Sequence, residues 1–91
     1  MVKYNIAQIK KLGKALDNRY RLEILRLCAD KELNITELQK KINIAYPHVH
    51  KHVHILKDAD LVDTFEKTDS RGKNLMVRSK YVIKDDYLEK K

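Results

Sequence analysis

Four histidines, His48, His50, His52 and His54, crowd into seven residues and are interleaved with Val49, Lys51 and Val53. On a helix, His48 with His52 and His50 with His54 each take the i, i+4 spacing that lets two imidazoles share one ion. Two ligands do not make a site. No third Cys, Asp or Glu stands in a register that completes either pair, and the pairs lie on different sides of the helix, so no metal site is expected. Protonation is the other chemistry open to these rings: with an ordinary pKa of about 6.5, all four would carry the formal charge from +7 to as much as +11. Catalytic arrangements are missing. There is no Gly-rich phosphate loop, no nucleophile beside a positioned base and no acidic pair in an apolar setting, so neither an enzyme nor a cofactor nor an identifiable small-molecule substrate is expected.

The frame that must carry these residues is small. Ninety-one residues, 43% hydrophobic and 36% charged with two Gly and one Pro, describe a single domain over residues 1–91 with one modest core and few loops. Twenty Lys and Arg against thirteen Asp and Glu give +7, which attracts a polyanion. The excess is uneven: residues 1–45 hold ten basic and five acidic residues, and residues 46–91 hold ten and eight. Cys28, the lone cysteine, cannot form an intrachain disulfide and stands among apolar neighbours as a small hydrophobe. No stretch approaches the roughly 18 apolar residues of a membrane span, and the N-terminus lacks a signal-peptide core, so a soluble, cytoplasmic protein is expected.

Periodicity divides the chain. Ile6, Ile9, Leu12 and Leu16 predict an amphipathic helix over residues 3–16, with Lys10, Lys11 and Lys14 opposite. Asp17 and Asn18, both good N-cap types, precede a second helix whose apolar Leu22, Ile24, Leu25, Leu27, Cys28 and Ala29 make it central. Thr36-Glu37-Leu38-Gln39 matches a capping box and starts a short third helix that carries Leu38 and Ile42 and ends near Asn43. Tyr46-Pro47 opens a fourth, over residues 46–59, on the stripe Val49, Val53 and Leu56. The alternating His-Val-His-Lys-His-Val-His string also suits a strand, but length and the continuing stripe favour helix. From Val62 to Tyr81 the alternation is that of a β-hairpin with a basic tip at Asp69-Ser70-Arg71-Gly72-Lys73. Residues 82–91 form a short tail, read as a strand end followed by a helical turn.

Helices joined by a tight turn and followed by a hairpin predict a mostly α fold with a β-hairpin (α+β), namely a winged helix-turn-helix of four helices plus a two-stranded wing. In that geometry the second helix of the pair enters the DNA major groove and the hairpin reaches the flanking backbone or minor groove. The runs Leu16-Asp17-Asn18-Arg19-Tyr20-Arg21-Leu22-Glu23-Ile24-Leu25, Glu32-Leu33-Asn34-Ile35-Thr36-Glu37-Leu38 and Val49-His50-Lys51-His52-Val53-His54-Ile55-Leu56-Lys57-Asp58-Ala59-Asp60-Leu61-Val62 resemble the ArsR-like winged-helix transcription regulators. The resemblance covers about Leu12 to Tyr81. Departures from it are specific. Asn34 and Thr36 stand where metal- or arsenic-sensing members carry cysteines, and the tail lacks the histidine of a second family metal site, so metal sensing is not carried over. Arg19 replaces a frequent Pro, Ala45 a capping Ser, and Asp60 a usual Gly.

The expected reading surface is double-stranded DNA contacted by Tyr46, Pro47, His50, Lys51, His54 and Lys57 on the outer face of the fourth helix and by Arg71, Lys73 and Asn74 on the wing, residues 69–74. Arg78 and Lys80 would widen the footprint. Arg21 resembles a family arginine that either pairs with an acid inside the domain or touches DNA, and His52 matches a family histidine expected to be half-buried. Protonation of the histidines predicts DNA affinity rising between pH 7.5 and pH 6. The resemblance further implies a homodimer through the N-terminal helix, with Tyr4, Ile6, Ile9, Leu12, Tyr87 and Leu88 at the contact. The alternative is a protein- or RNA-interaction module with weak non-specific DNA binding, a reading that Asp58, Asp60, Asp63, Glu66 and Asp69 favour by diluting the basic surface.

Overall fold

The computed structural model describes residues 3–6, 13–85 and 87–91. Helix α1 (Arg19–Asp30) starts where Asn18, in extended conformation, accepts from the amides of Tyr20 and Arg21 at 2.9 and 3.2 Å. Those bonds satisfy two first-turn donors that have no intrahelical partner. Ile24, Leu25 and Cys28 on its inner face are fully buried, as the apolar density of this helix predicts. Burial pushes the Cys28 thiol up to about 12, which leaves it an apolar filler rather than a nucleophile.

Strand β2 (Leu33–Asn34) leads directly into α2 (Ile35–Ile42). The capping box belongs to Asn34 and Glu37, not to Thr36 and Gln39: Asn34 Oδ1 accepts from the Glu37 amide at 2.7 Å, and Glu37 Oε1 accepts from the Asn34 amide at 2.9 Å. The reason lies in the sheet. Asn34 is the last extended residue because it pairs with Met76 of the wing, so the helix begins two residues earlier than the Thr-x-x-Gln match suggests. Helix α2 ends as expected at Asn43, whose φ of +56° is left-handed and whose amide donates to the Gln39 carbonyl at 2.8 Å. After Ile44 and Ala45, α3 (Tyr46–Asp58) begins.

The wing is β3 (Val62–Asp69) against β4 (Gly72–Ser79), antiparallel from Val62↔Ser79 to Asp69↔Gly72, with Ser70 and Arg71 as its loop. Gly72 has φ of +117°, a conformation side chains other than glycine rarely adopt. Because β2 pairs with β4, the sheet has three strands in the order β2-β4-β3 rather than two.

Both ends of the chain depart from expectation. Lys3–Asn5 is a strand, β1, Ile6 is helical and Lys14–Leu16 is one 3-10 turn, so three α-helices lie wholly within the described residues. The apolar stripe that predicts the first helix starts only at Ile6, and Lys3–Asn5 pair instead with the far end of the chain. Residues 7–12 of the expected helix lie outside the described residues. Among the described residues the tail contains no helical turn: β5 (Tyr81–Lys84) and β6 (Tyr87–Lys90) form a second hairpin, with Asp85 at φ +50° after β5, and the sheet runs β1-β6-β5. Ile83 pairs with Leu88 across it, and Leu88 is fully buried against the core.

The core gathers Leu16, α1, Leu38 of α2, the stripe of α3, and Leu61, Val62, Val77 and Leu88 into one cluster. Among the described residues no helix is long and apolar enough to cross a membrane.

Candidate nucleic-acid interface

Helix α3 sits on the core by the stripe its sequence predicts, with Val49, Val53 and Leu56 buried. Its opposite face carries Tyr46, Pro47, His50, Lys51, His54 and Lys57, all exposed. Ala45 caps the helix without a side-chain hydrogen bond, so the first turn presents backbone donors rather than a satisfied cap. Tyr46 is 45% exposed and leans toward His50, ring centroids 6.0 Å apart. His54 Nε2 lies 3.3 Å from Asp58 Oδ2, one turn on. Lys51 and Lys57 meet no carboxylate among the described residues. A cleft of about 130 Å³ separates this face from the wing, lined by His50, His54 and Lys57 on one side and Thr64 and Leu75 on the other.

Where α3 ends, the chain must turn sharply into the wing. The Leu61 amide donates to the Leu56 carbonyl at 3.0 Å and the Asp60 amide to Lys57 at 2.9 Å, the paired bonds of a Schellman cap. Asp60 occupies the left-handed position of that cap at φ +62°. This is the site where the resembling family usually has Gly, and the backbone supplies the reason. Asp60 also accepts a hydrogen bond from Lys80, which lies 3.5 Å from Asp63 as well. That contact holds the Asp60 carboxyl below, and the Lys80 ammonium above, its ordinary range.

At the wing tip every expected contact residue has a partner. Asp69 is the hub: Oδ1 accepts from the Arg71 amide at 2.8 Å and Oδ2 from Asn74 Nδ2 at 2.9 Å, while the Arg71 guanidinium lies 3.9 Å away. Lys73 Nζ lies 3.7 Å from Glu66. Farther back, Lys67 and Arg78 converge on Glu32 at 3.3 and 3.8 Å, and Arg78 covers the Phe65 ring. Arg78 and Lys80 are thus paired with carboxylates of their own chain, as the wing-tip residues are.

Two residues lie away from the outer face. Arg21, only 8% exposed, donates from Nε to the Ala15 carbonyl at 2.7 Å and sits 3.1 Å from His52 Nδ1 through Nη1. Arginine has no acceptor, so Nδ1 must carry the lone pair and Nε2 the proton. His52 is half-buried, as expected, beside the Tyr20 ring at 5.8 Å. Desolvation first, then Arg21, His48 and Lys51, hold its pKa below 6.5, so His52 resists joining the fourfold charging that the sequence allows. Among the described residues no three His, Cys, Asp or Glu side chains group to hold a metal.

Sequence reasoning passes over the other side of the wing. There a groove of about 540 Å³ runs between α2 and the hairpin, where Thr36 and Lys40 of α2 face Lys67, Arg71 and Asn74. The i, i+4 spacing of Thr36 and Lys40 is the signal that could have found it. Of the expected dimer residues, Ile6 is half-buried on its own core, Tyr87 is 47% exposed, and Leu88 is fully buried within its own chain. Leu88 is therefore unavailable to a partner surface, a correction that follows from its inward register on β6. Ile9 and Leu12 lie outside the described residues, as does the side chain of Tyr4.

Three helices with a three-residue turn between the last two, followed by a hairpin at the end of the outermost helix, define a winged helix-turn-helix. Residues 16–64 match the helix-turn-helix domain family. An uncharacterized HTH-type transcriptional regulator of Methanocaldococcus jannaschii is 37% identical over 59 residues, which are 65% of this chain and 62% of that relative, less than two thirds of its length. Reduced HlyU from Vibrio cholerae superposes with a TM-score of 0.67 and 26% identity over 80% of this chain and 73% of that one. The transcriptional repressor BigR from Xylella fastidiosa shares the fold at a TM-score of 0.65 and 20% identity, over 80% and 70%. The chain belongs to the helix-turn-helix domain family, as an ArsR-like winged-helix member.

Proposed function

We propose that this chain is a DNA-binding transcriptional regulator, without enzymatic activity, that reads double-stranded DNA with α3 in the major groove. The observation that carries the reading is the outer face of α3, where Lys51 and Lys57 stand exposed with no carboxylate partner among the described residues, on a helix fixed to the core by its opposite stripe. Lysine can bond a guanine edge or a phosphate, neutral imidazoles donate or accept, and the Tyr46 hydroxyl suits a phosphate. The wing, residues 69–74, lies on the flanking backbone or minor groove through Arg71, Lys73 and Asn74. The protein acts as a homodimer joined through its N-terminal segment, including Tyr4, Ile6, Ile9 and Leu12, with Tyr87 beside it. Two-fold symmetry sets the half-sites about 34–36 Å apart, one DNA turn.

Selection of bound duplexes from a random pool, followed by titration against salt, tests the reading. A palindromic motif bound with a steep salt slope is expected, because each phosphate neutralised releases counterions. Weak, sequence-blind binding would overturn it in favour of a protein- or RNA-interaction module.

A further inference from the structure

One buried cation joins three elements. The Arg21 guanidinium of α1 bonds the Ala15 carbonyl of the 3-10 turn through Nε and reaches His52 of α3 through Nη1, at 2.7 and 3.1 Å. The turn closes the segment that leads from the N-terminus, and α3 is the reading helix. A surface contact of this kind would weigh little, but Arg21 is 8% exposed, and desolvation lowers its pKa without depriving an arginine of its charge.

The contact has a built-in condition. Arg21 can only donate, so it needs the lone pair of His52 Nδ1, and a proton on that nitrogen turns an acceptor into a donor and puts two cations about 3 Å apart. The other charged groups acting on the ring do not rescue it. His48 and Lys51, on α3 itself, are of the same sign as Arg21, and neither α2 nor β3, which also pack on α3, adds a charge that acts on the ring among the described residues. Tyr20 supplies an aromatic face, and Asp17 acts on Arg21 rather than on His52.

We propose that Arg21 and His52 form a latch that positions the reading helix against the N-terminal segment, closed while the imidazole is neutral and released when it takes a proton. Both residues lie off the outer face of α3, Arg21 buried and His52 half-buried, so both are positioning residues, and the consequence for DNA rests on the reading function proposed above. The sign follows from linkage. The folded protein holds the His52 pKa below the ordinary 6.5, so the latch is fully present above about 6.5 and is lost as pH falls through the folded value. This runs opposite in sign to the rise in DNA affinity at low pH that histidine protonation alone predicts from the sequence.

His52→Gln separates the two effects, because a glutamine oxygen accepts from Arg21 and never ionises, while the three exposed histidines remain. The test is NMR titration of the full chain from pH 8 to pH 5, following the His52 imidazole nitrogens and the Arg21 Nε–H. The imidazole should titrate below 6.5, and the Arg21 signal should move with the same midpoint in the wild type and stay still in His52→Gln. DNA affinity should be equal within about twofold for the two proteins at pH 7.5, and at pH 5 the wild type should bind at least about threefold more weakly than His52→Gln. An imidazole that titrates at or above 6.5, an Arg21 signal indifferent to it, or an affinity ratio that does not change with pH each overturns the latch. The NMR measurement needs no DNA. If no duplex is bound while Arg21 and His52 titrate together, the DNA reading fails and the latch stands.

Discussion

The reading helix and the wing are both basic, yet their charges are in different states. On α3, Lys51 and Lys57 point outward with no carboxylate within ion-pair distance among the described residues. On the wing, Arg71 faces Asp69, Lys73 faces Glu66, and Asn74 is bonded to Asp69. A lysine with only water around it gains the full benefit of a phosphate, whereas a paired one must first give up its carboxylate and bring that acid near DNA. The near balance of ten basic and eight acidic residues in the second half of the chain is therefore local. It neutralises the wing and spares the helix. Exposed ion pairs are individually weak, so the wing is a damped contact rather than a blocked one.

Breaking the helix side should have the largest effect. Lys51→Ala is expected to reduce affinity for the selected duplex about ten- to a hundredfold, the range for loss of a base-edge contact, with little change in thermal stability because the side chain is exposed. Fluorescence anisotropy with selected and scrambled duplexes checks both parts. If affinity falls equally on both duplexes, Lys51 is a phosphate contact. If neither changes, α3 does not read DNA.

The unevenness between the two regions was only half legible. Val49, Val53 and Leu56 fix which face of α3 is outward because helical periodicity is local, and Asn18, Asn43 and Gly72 mark their breaks by residue type. What stayed hidden depends on pairing between distant segments. β1 and β6 meet from opposite ends of the chain, and neither Lys3–Asn5 nor Tyr87–Lys90 announces the other. The cap of α2 moved from Thr36 to Asn34 because of a strand contact 42 positions away, with Met76. The acids of the wing were visible in the sequence, but only the antiparallel register sets Glu66 near Lys73 and Asp69 beside Asn74. For Arg21 the sequence offers an acid or DNA as partner; its bonds to the Ala15 carbonyl and the His52 imidazole, which lie 6 and 31 positions away, carry no local signal.

Smaller effects are expected on the wing. Arg71→Ala should weaken binding about threefold and nearly equally across sequences, reducing the magnitude of the salt slope by less than the roughly 0.9 of one full phosphate contact. A loss as large as that of Lys51→Ala would show that the Asp69 pair does not restrain Arg71. The converse experiment removes an acid: Glu66→Gln releases Lys73 and should tighten binding about twofold at low salt, the gain vanishing as screening shortens the reach of both charges. Unchanged affinity at every salt would mean that Lys73 lies outside the footprint.

The smallest effect concerns the joint between the two regions. Asp60 closes α3 in the left-handed conformation and, through Lys80, ties the helix end to the base of β4. Two terms oppose one another on substitution by glycine: the backbone strain disappears, while the exposed ion pair and some unfolded-state restriction are lost. Alanine loses the pair and keeps the strain, without the local hydrogen bonding that lets Asp tolerate positive φ. Asp60→Ala should therefore lower the Tm by about 5 °C, and Asp60→Gly should return it to within about 2 °C of the wild type or above it. If glycine and alanine fall together, the Lys80 contact rather than the Schellman geometry holds the joint. The helix and wing would then be coupled through a salt-sensitive pair instead of through the backbone.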